Sequence, residues 1–139
     1  MGAVDWFVRA REARFDGRAF IDGARRDAVA GESFVKTSPI DGRTLGPVAR
    51  CREADVNAAV ASARAAFDDG RWAGKPPALR KKLLAAFAAK ILAAKEELAL
   101  LETLDMGKPI QYSLAVDVPS TARTIAWYAE AIDKVYDEI

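Results

Sequence analysis

The chain has 139 residues, with Lys+Arg at 21, Asp+Glu at 20 and a formal net charge of +1. That balance argues against a general nucleic-acid binder, which needs excess basic charge on one surface, and against a polybasic membrane anchor. Histidine is absent and cysteine occurs once, which removes Ser-His and Cys-His nucleophiles, internal disulfides and thiolate zinc clusters.

Composition thus predicts a soluble, cytoplasmic chain with little catalytic equipment. The longest uncharged apolar run, 83–89, is far too short to span a bilayer. The N-terminus has no signal-peptide h-region, and Trp6 stands where a myristoylation signal wants Ser or Thr.

In chain order, Trp6, Phe7, Ala10 and Ala13 lie at helical spacing, so a short helix is expected over 3–13. Residues 18–21 read as a strand running into an Asp22-Gly23 turn. A second strand is expected over 32–37, stopped by Ser38-Pro39. Asp41-Gly42 makes another corner, and 44–49 a third strand. The front, 1–52, is therefore expected to be a short helix plus a hairpin or small meander.

From 53 to 139 the period is helical. Val56, Ala59, Val60, Ala63 and Phe67 define the expected buried face of a helix, with Asn57, Ser62, Arg64 and Asp68 opposite. Asp68 and Asp69 sit awkwardly before Gly70, because carboxylates oppose a helix C-terminus, so an earlier end is expected. Pro76-Pro77 opens the next helix, whose stripe is Leu79, Leu83, Leu84, Phe87 and Ile91. The period slips at Ala93-Ala94-Lys95, where a break is expected before Leu98, Leu101 and Leu104 continue. Gly107 and Pro109 stop that run. A last helix is expected from Asp117 as N-cap, burying Ala122, Ile125, Ala126, Ala129, Ile132 and Tyr136. The fold class is α+β: a hairpin or meander followed by about four helices.

Candidate chemistry is sparse. Arg50 and Arg52 flank Cys51 and favour a thiolate, but no base or orienting group accompanies it, so a half-buried strand-end residue is the preferred reading. No glycine pattern makes a phosphate loop. Arg80-Lys81-Lys82 reads as a solvated helix face. Glu102 and Asp105 share a helix face and could hold a cation, although such pairs are more often simply solvated. Trp127, Tyr128 and Tyr136 read as core or interface aromatics.

At Leu98-Ala99-Leu100-Leu101-Glu102-Thr103-Leu104-Asp105 with Gly107-Lys108-Pro109, the sequence resembles the N-terminal region of the NAD(P)-dependent aldehyde dehydrogenases. Phe20-Ile21-Asp22-Gly23, the 37–42 corner, Asp55 through Phe67, and Trp127 through Lys134 extend the resemblance over nearly the whole chain. Ser38 stands where the family usually has Asn. Within the family, 126–136 looks most like the γ-glutamyl-γ-aminobutyraldehyde dehydrogenases of putrescine breakdown.

The resemblance implies the front of an α/β coenzyme-binding domain over 1–139, incomplete without its sheet. Family members oxidise an aldehyde through a cysteine thiohemiacetal, pass hydride to NAD or NADP, and release the acid with a glutamate-activated water. The resemblance places those groups C-terminal to this region, so this chain alone is expected to be inactive and to bind no coenzyme. Cys51 inherits no role. Thr37, through its carbonyl, and Asp105 match positions that hold a structural monovalent cation in many members, as an incomplete site here. Expected partners are the remainder of the enzyme or other aldehyde dehydrogenase subunits, with self-association through uncovered helix faces, and no nucleic acid or membrane. The alternative is a standalone module that docks on a full-length aldehyde dehydrogenase.

Overall fold

The computed structural model describes residues 4–134. Among these, helix α1 is Trp6–Glu12, and strands β1 to β4 are Ala19–Ile21, Ala24–Arg26, Ser33–Thr37 and Thr44–Ala49. Helices α2, α3 and α4 follow as Glu53–Asp68, Pro77–Ala93 and Lys95–Met106. The three-residue α5, Ile110–Tyr112, leads through a π-helical stretch, Ser113–Asp117, into α6, Val118–Ala131. The α+β class holds. The chain divides into two compact units, Met1–Arg71 with Leu104–Gly107, and Trp72–Thr103 with Lys108–Ile139.

In the first unit, Asp5 starts α1 by accepting from the Phe7 and Val8 amides at 3.0 and 3.1 Å. Arg9 and Arg11 in the last turn suit the negative end of the helix. Asp22 and Gly23 both take positive φ, 52° and 73°, as a two-residue hairpin turn requires. That turn returns the chain into β2, a strand with no apolar alternation to reveal it. The meander expectation is corrected here: β1–β2 and β3–β4 are two separate antiparallel pairs. What links them is a parallel bridge between Gly17 and Val48, with the Ala49 amide donating to the Gly17 carbonyl at 2.9 Å. A Cβ on Gly17 would lie 2.3 Å from the Pro47 carbonyl oxygen, so only glycine allows this approach.

Helix α2 runs to Asp68, past the earlier end expected. Arg64 reaches the Asp68 carboxylate at 3.6 Å, and Arg71 turns back on Asp69 at 2.8 Å, which supplies the missing cations. The expected buried face is also corrected. Val56, Val60, Ala63 and Phe67 are exposed; of the expected face only Ala59 is half-buried, with Asp55, Ser62 and Ala66 inward beside it. Small side chains let the helix lie close to the hairpin, and Ser62 Oγ is 3.3 Å from Asp22 Oδ1.

In the second unit, α3 packs along α6. Ala88 of α3 and Val118, Ala122 and Ala129 of α6 are buried. Of the stripe expected for α3, Leu84 and Ile91 are half-buried, but Leu79, Leu83 and Phe87 are exposed. The predicted break is present: α3 ends at Ala93 and α4 begins at Lys95. The stripe expected for α6 is inward-facing through Ile132; Tyr136 lies outside the described residues.

Asp117 does not cap α6. Its backbone is helical (φ −68°, ψ −55°), its side chain caps nothing, and its carboxylate takes the Lys108 ammonium instead. The helix runs unbroken through the π stretch into Pro119. A proline ring collides with the carbonyl four residues back in a regular α-helix. The wider π turn absorbs that collision, so proline bends the helix register rather than starting the helix.

Candidate functional site

A polar site of the first unit lies where the C-terminus of α4 meets the β3–β4 corner. The corner is stiff. The Ser38 amide donates to the Arg43 carbonyl at 2.8 Å, the Gly42 amide donates to the Ser38 carbonyl at 2.9 Å, and Ser38 is 2% exposed. Ser38 Oγ accepts from the Ile40 amide at 3.2 Å, so serine does the turn-stabilising work of an asparagine here. Gly107 ends α4 at φ +82°, and a Cβ there would lie 3.1 Å from Pro39 Cγ. Glycine thus both turns the chain and seats it under the corner.

Thr37 is the last residue of β3, paired with Thr44 past a register shift after Lys36. Asp105 sits in the last turn of α4. The structure therefore puts both predicted residues in one unit, and adds one that sequence reasoning missed. Lys36 Nζ lies 2.9 Å from Asp105 Oδ1. These residues do not fit a free monovalent ion at that carboxylate, because its single charge is already matched by the ammonium. No group of three or more His, Cys, Asp or Glu side chains able to hold a metal occurs among the described residues.

Asp55 is the second residue that sequence reasoning missed. It is 4% exposed and accepts from the Arg52 amide and the Val29 amide, each at 2.8 Å. Those two donors, Arg52 first, hold its carboxyl below the usual range against the opposing pull of burial. The signal available was an Asp three residues past the helix N-cap, where it can reach back to the N-cap backbone. Its role is architectural.

The remaining candidates separate cleanly. Cys51 is exposed in the β4–α2 connection, not half-buried at a strand end. Lys81 is not part of a solvated basic face. It bridges to Glu130 of α6 at 2.9 Å and to Asp133 just past the end of that helix at 3.1 Å. Those hydrogen bonds, Glu130 first, raise the Lys81 pKa, and both carboxylates are lowered. Trp127 and Tyr128 make an edge-to-face pair with centroids 4.9 Å apart, and both are exposed. An open apolar cleft of about 500 Å³ is lined by Phe87, Ile91, Leu98 and Val118, with Lys90, Glu102 and Thr121 at its polar points. No described helix is long and apolar enough to cross a membrane.

The class this fold defines is the aldehyde dehydrogenases: the family model "Aldehyde dehydrogenase family" matches residues 26–139, and the chain belongs to that family. Among its relatives, the aminoacetaldehyde dehydrogenase of Pseudomonas aeruginosa is 50% identical over 120 residues, covering 86% of this chain and 24% of the relative. The NADP/NAD-dependent aldehyde dehydrogenase PuuC of Escherichia coli K12 is 44% identical over 134 residues, covering 96% and 27%. The solved γ-glutamyl-γ-aminobutyraldehyde dehydrogenase of Burkholderia cenocepacia J2315 superposes with a TM-score of 0.94 at 56% identity, covering 97% of this chain and 27% of that one. The chain thus spans about a quarter of the length of the curated relatives it matches.

Proposed function

We propose that this chain supplies the front of the coenzyme-binding domain, residues 1–139, of a cytoplasmic NAD(P)-dependent aldehyde dehydrogenase. The reaction served is oxidation of an aldehyde to its acid. The substrate class is an aldehyde carrying an amine-derived chain, with γ-glutamyl-γ-aminobutyraldehyde of putrescine breakdown as the specific candidate. Both aminoacetaldehyde dehydrogenase and the Burkholderia enzyme support that class.

The observation that carries the reading is the match of most of the chain to about a quarter of much longer dehydrogenases, combined with what the chain lacks. It has no phosphate-binding glycine loop and no base for Cys51. Its contribution is scaffolding. The β3–β4 corner and α4 terminus belong to one compact unit, and α3 with α6 to the other. Chemistry and coenzyme contacts belong to the remaining three quarters of such an enzyme. The chain alone is inactive and binds no nicotinamide coenzyme.

The test mixes the purified chain with a separately produced polypeptide carrying the remainder of a relative such as the Burkholderia enzyme. Coenzyme reduction is followed with γ-glutamyl-γ-aminobutyraldehyde, aminoacetaldehyde and an aromatic aldehyde. Activity in the mixture, absent from either part, with the amine-derived aldehydes preferred, is the expected result. Calorimetric binding of NAD or NADP to the chain alone would overturn it. A chain that binds full-length dehydrogenase tightly, yet never complements the missing part, would identify a docking module instead.

A further inference from the structure

We propose that the Lys36 ammonium takes the place of a free monovalent cation at the Asp105 carboxylate, so that this corner of the fold is indifferent to sodium and potassium. The need for a cation arises from α4 itself. Its last turn carries Asp105 and no basic residue. A carboxylate beside the negative end of a helix is unfavourable unless a positive charge sits nearby. Lys36 provides that charge from β3, and the pair closes at 2.9 Å.

Geometry favours the tethered cation over a free one. Lys36 precedes Thr37 in the same strand, and the strand is held by the β3–β4 ladder. The register shift between Lys36 and Thr37 falls beside the corner that Gly107 packs under. The ammonium is therefore delivered to the carboxylate by a short chain, with no loss of translational freedom on binding. A free ion would have to displace it. The Asp105 side chain is 59% exposed, so the free ion would also give up its hydration for one water-accessible carboxylate. A second positive charge against that single negative one is repelled by Lys36.

The experiment measures the thermal midpoint of the full chain in sodium, potassium and choline chloride at one ionic strength, with the sodium-23 linewidth as a second readout. The variants are Lys36→Gln, Asp105→Asn, the double variant and Lys36→Arg. The proposal expects one midpoint in all three salts for the wild type and Lys36→Arg, with no line broadening. It expects Lys36→Gln to lower the midpoint in choline chloride, and to lower it less when Asp105 is already Asn. Sodium- or potassium-specific stabilisation of the wild type that Asp105→Asn abolishes would overturn it. So would a Lys36→Gln midpoint equal to the wild type in choline chloride. If Lys36→Gln fails to fold, Lys36→Arg and Asp105→Asn decide: a sodium or potassium response in Lys36→Arg overturns the proposal, and so does an Asp105→Asn midpoint equal to the wild type in choline chloride.

Discussion

Two residues carry consequences out of proportion to their size. Gly17 allows the backbone approach that joins the β3–β4 pair to the segment leading into β1. Because the obstruction to a side chain is the Pro47 carbonyl at 2.3 Å, a rigid backbone atom, Gly17→Ala forces the strands apart. The expected cost is about 1–3 kcal/mol, read from a denaturant midpoint. A midpoint unchanged within error would mean the bridge is dispensable. Asp55 ties the start of α2 to Val29, 26 residues earlier. Its pKa is lowered in the fold, so its contribution is complete above the unfolded value of about 3.9 and is lost as pH falls through the lower folded value. Asp55→Asn should therefore lower the thermal midpoint at neutral pH by a few degrees and flatten its decline in acid. An unaltered acid limb would show that other carboxylates set it. Neither role was legible in advance. The sequence displays that Asp55 can reach backward along its own helix, but not that Val29 waits beside it. For Gly17, nothing local distinguishes a close approach from an ordinary loop glycine.

Boundaries set by a glycine or a slip in period were legible, because their causes are local, while the end of α2 and the start of α6 were not. The α3–α4 break at Ala94 is the predicted slip in period, and the stops at Gly70 and Gly107 are glycines in left-handed conformation. Faces were less legible. In α2 the pattern points to Val56, Ala59, Val60, Ala63 and Phe67, and of these only Ala59 is half-buried, with Asp55, Ser62 and Ala66 inward beside it. Periodicity finds the greasiest side of a helix; it does not say which partner covers that side. Asp117 misled for a related reason, since Pro119 can open a helix or be absorbed by a π turn, and only the neighbouring Lys108 decides where the carboxylate goes. The α3–α6 pair yields an element-scale prediction. Lys81 is raised by Glu130 and then Asp133. Glu130 is lowered first by Lys81, and Asp133 first by Lys134 and then Lys81. The carboxylates thus contribute above their unfolded values of about 4, and lose this as pH falls through the folded values. Lys81 contributes below its unfolded value of about 10.4, and loses this as pH rises through the folded one. Lys81→Met should lower the midpoint modestly across the plateau, since the acids are solvent-exposed, and shallow both limbs. Limbs as steep as in the wild type would remove Lys81 from the packing of α3 on α6.

At the scale of the molecule, the exposed apolar residues are too many and too large to be incidental. Phe67 is 72% exposed and Trp127 65%, and Val56, Val60, Phe87 and Tyr128 are also exposed on α2, α3 and α6. Isolated exposed apolar side chains need no explanation, but ordered sets on helix faces mark surfaces that are covered in use. Among the described residues, small side chains make up much of the buried set, while many bulky ones face solvent. That is the reverse of what a self-sufficient domain of this length would select. The net charge of +1 offers little repulsion to keep copies apart. The purified chain should therefore associate with itself in a concentration-dependent way and bind a dye that reports apolar surface. Replacing Val60 and Phe67 by lysine should weaken both signals while leaving helix content intact, because neither side chain packs inward. The measurements are sedimentation velocity over a concentration series, dye fluorescence and circular dichroism on wild type and variant. A wild-type chain that stays monomeric at high concentration and leaves the dye dark would show that the two units satisfy their own apolar surface. A variant that loses helix content would place Val60 and Phe67 in the chain's own core, and the outward reading of α2 would fall with it.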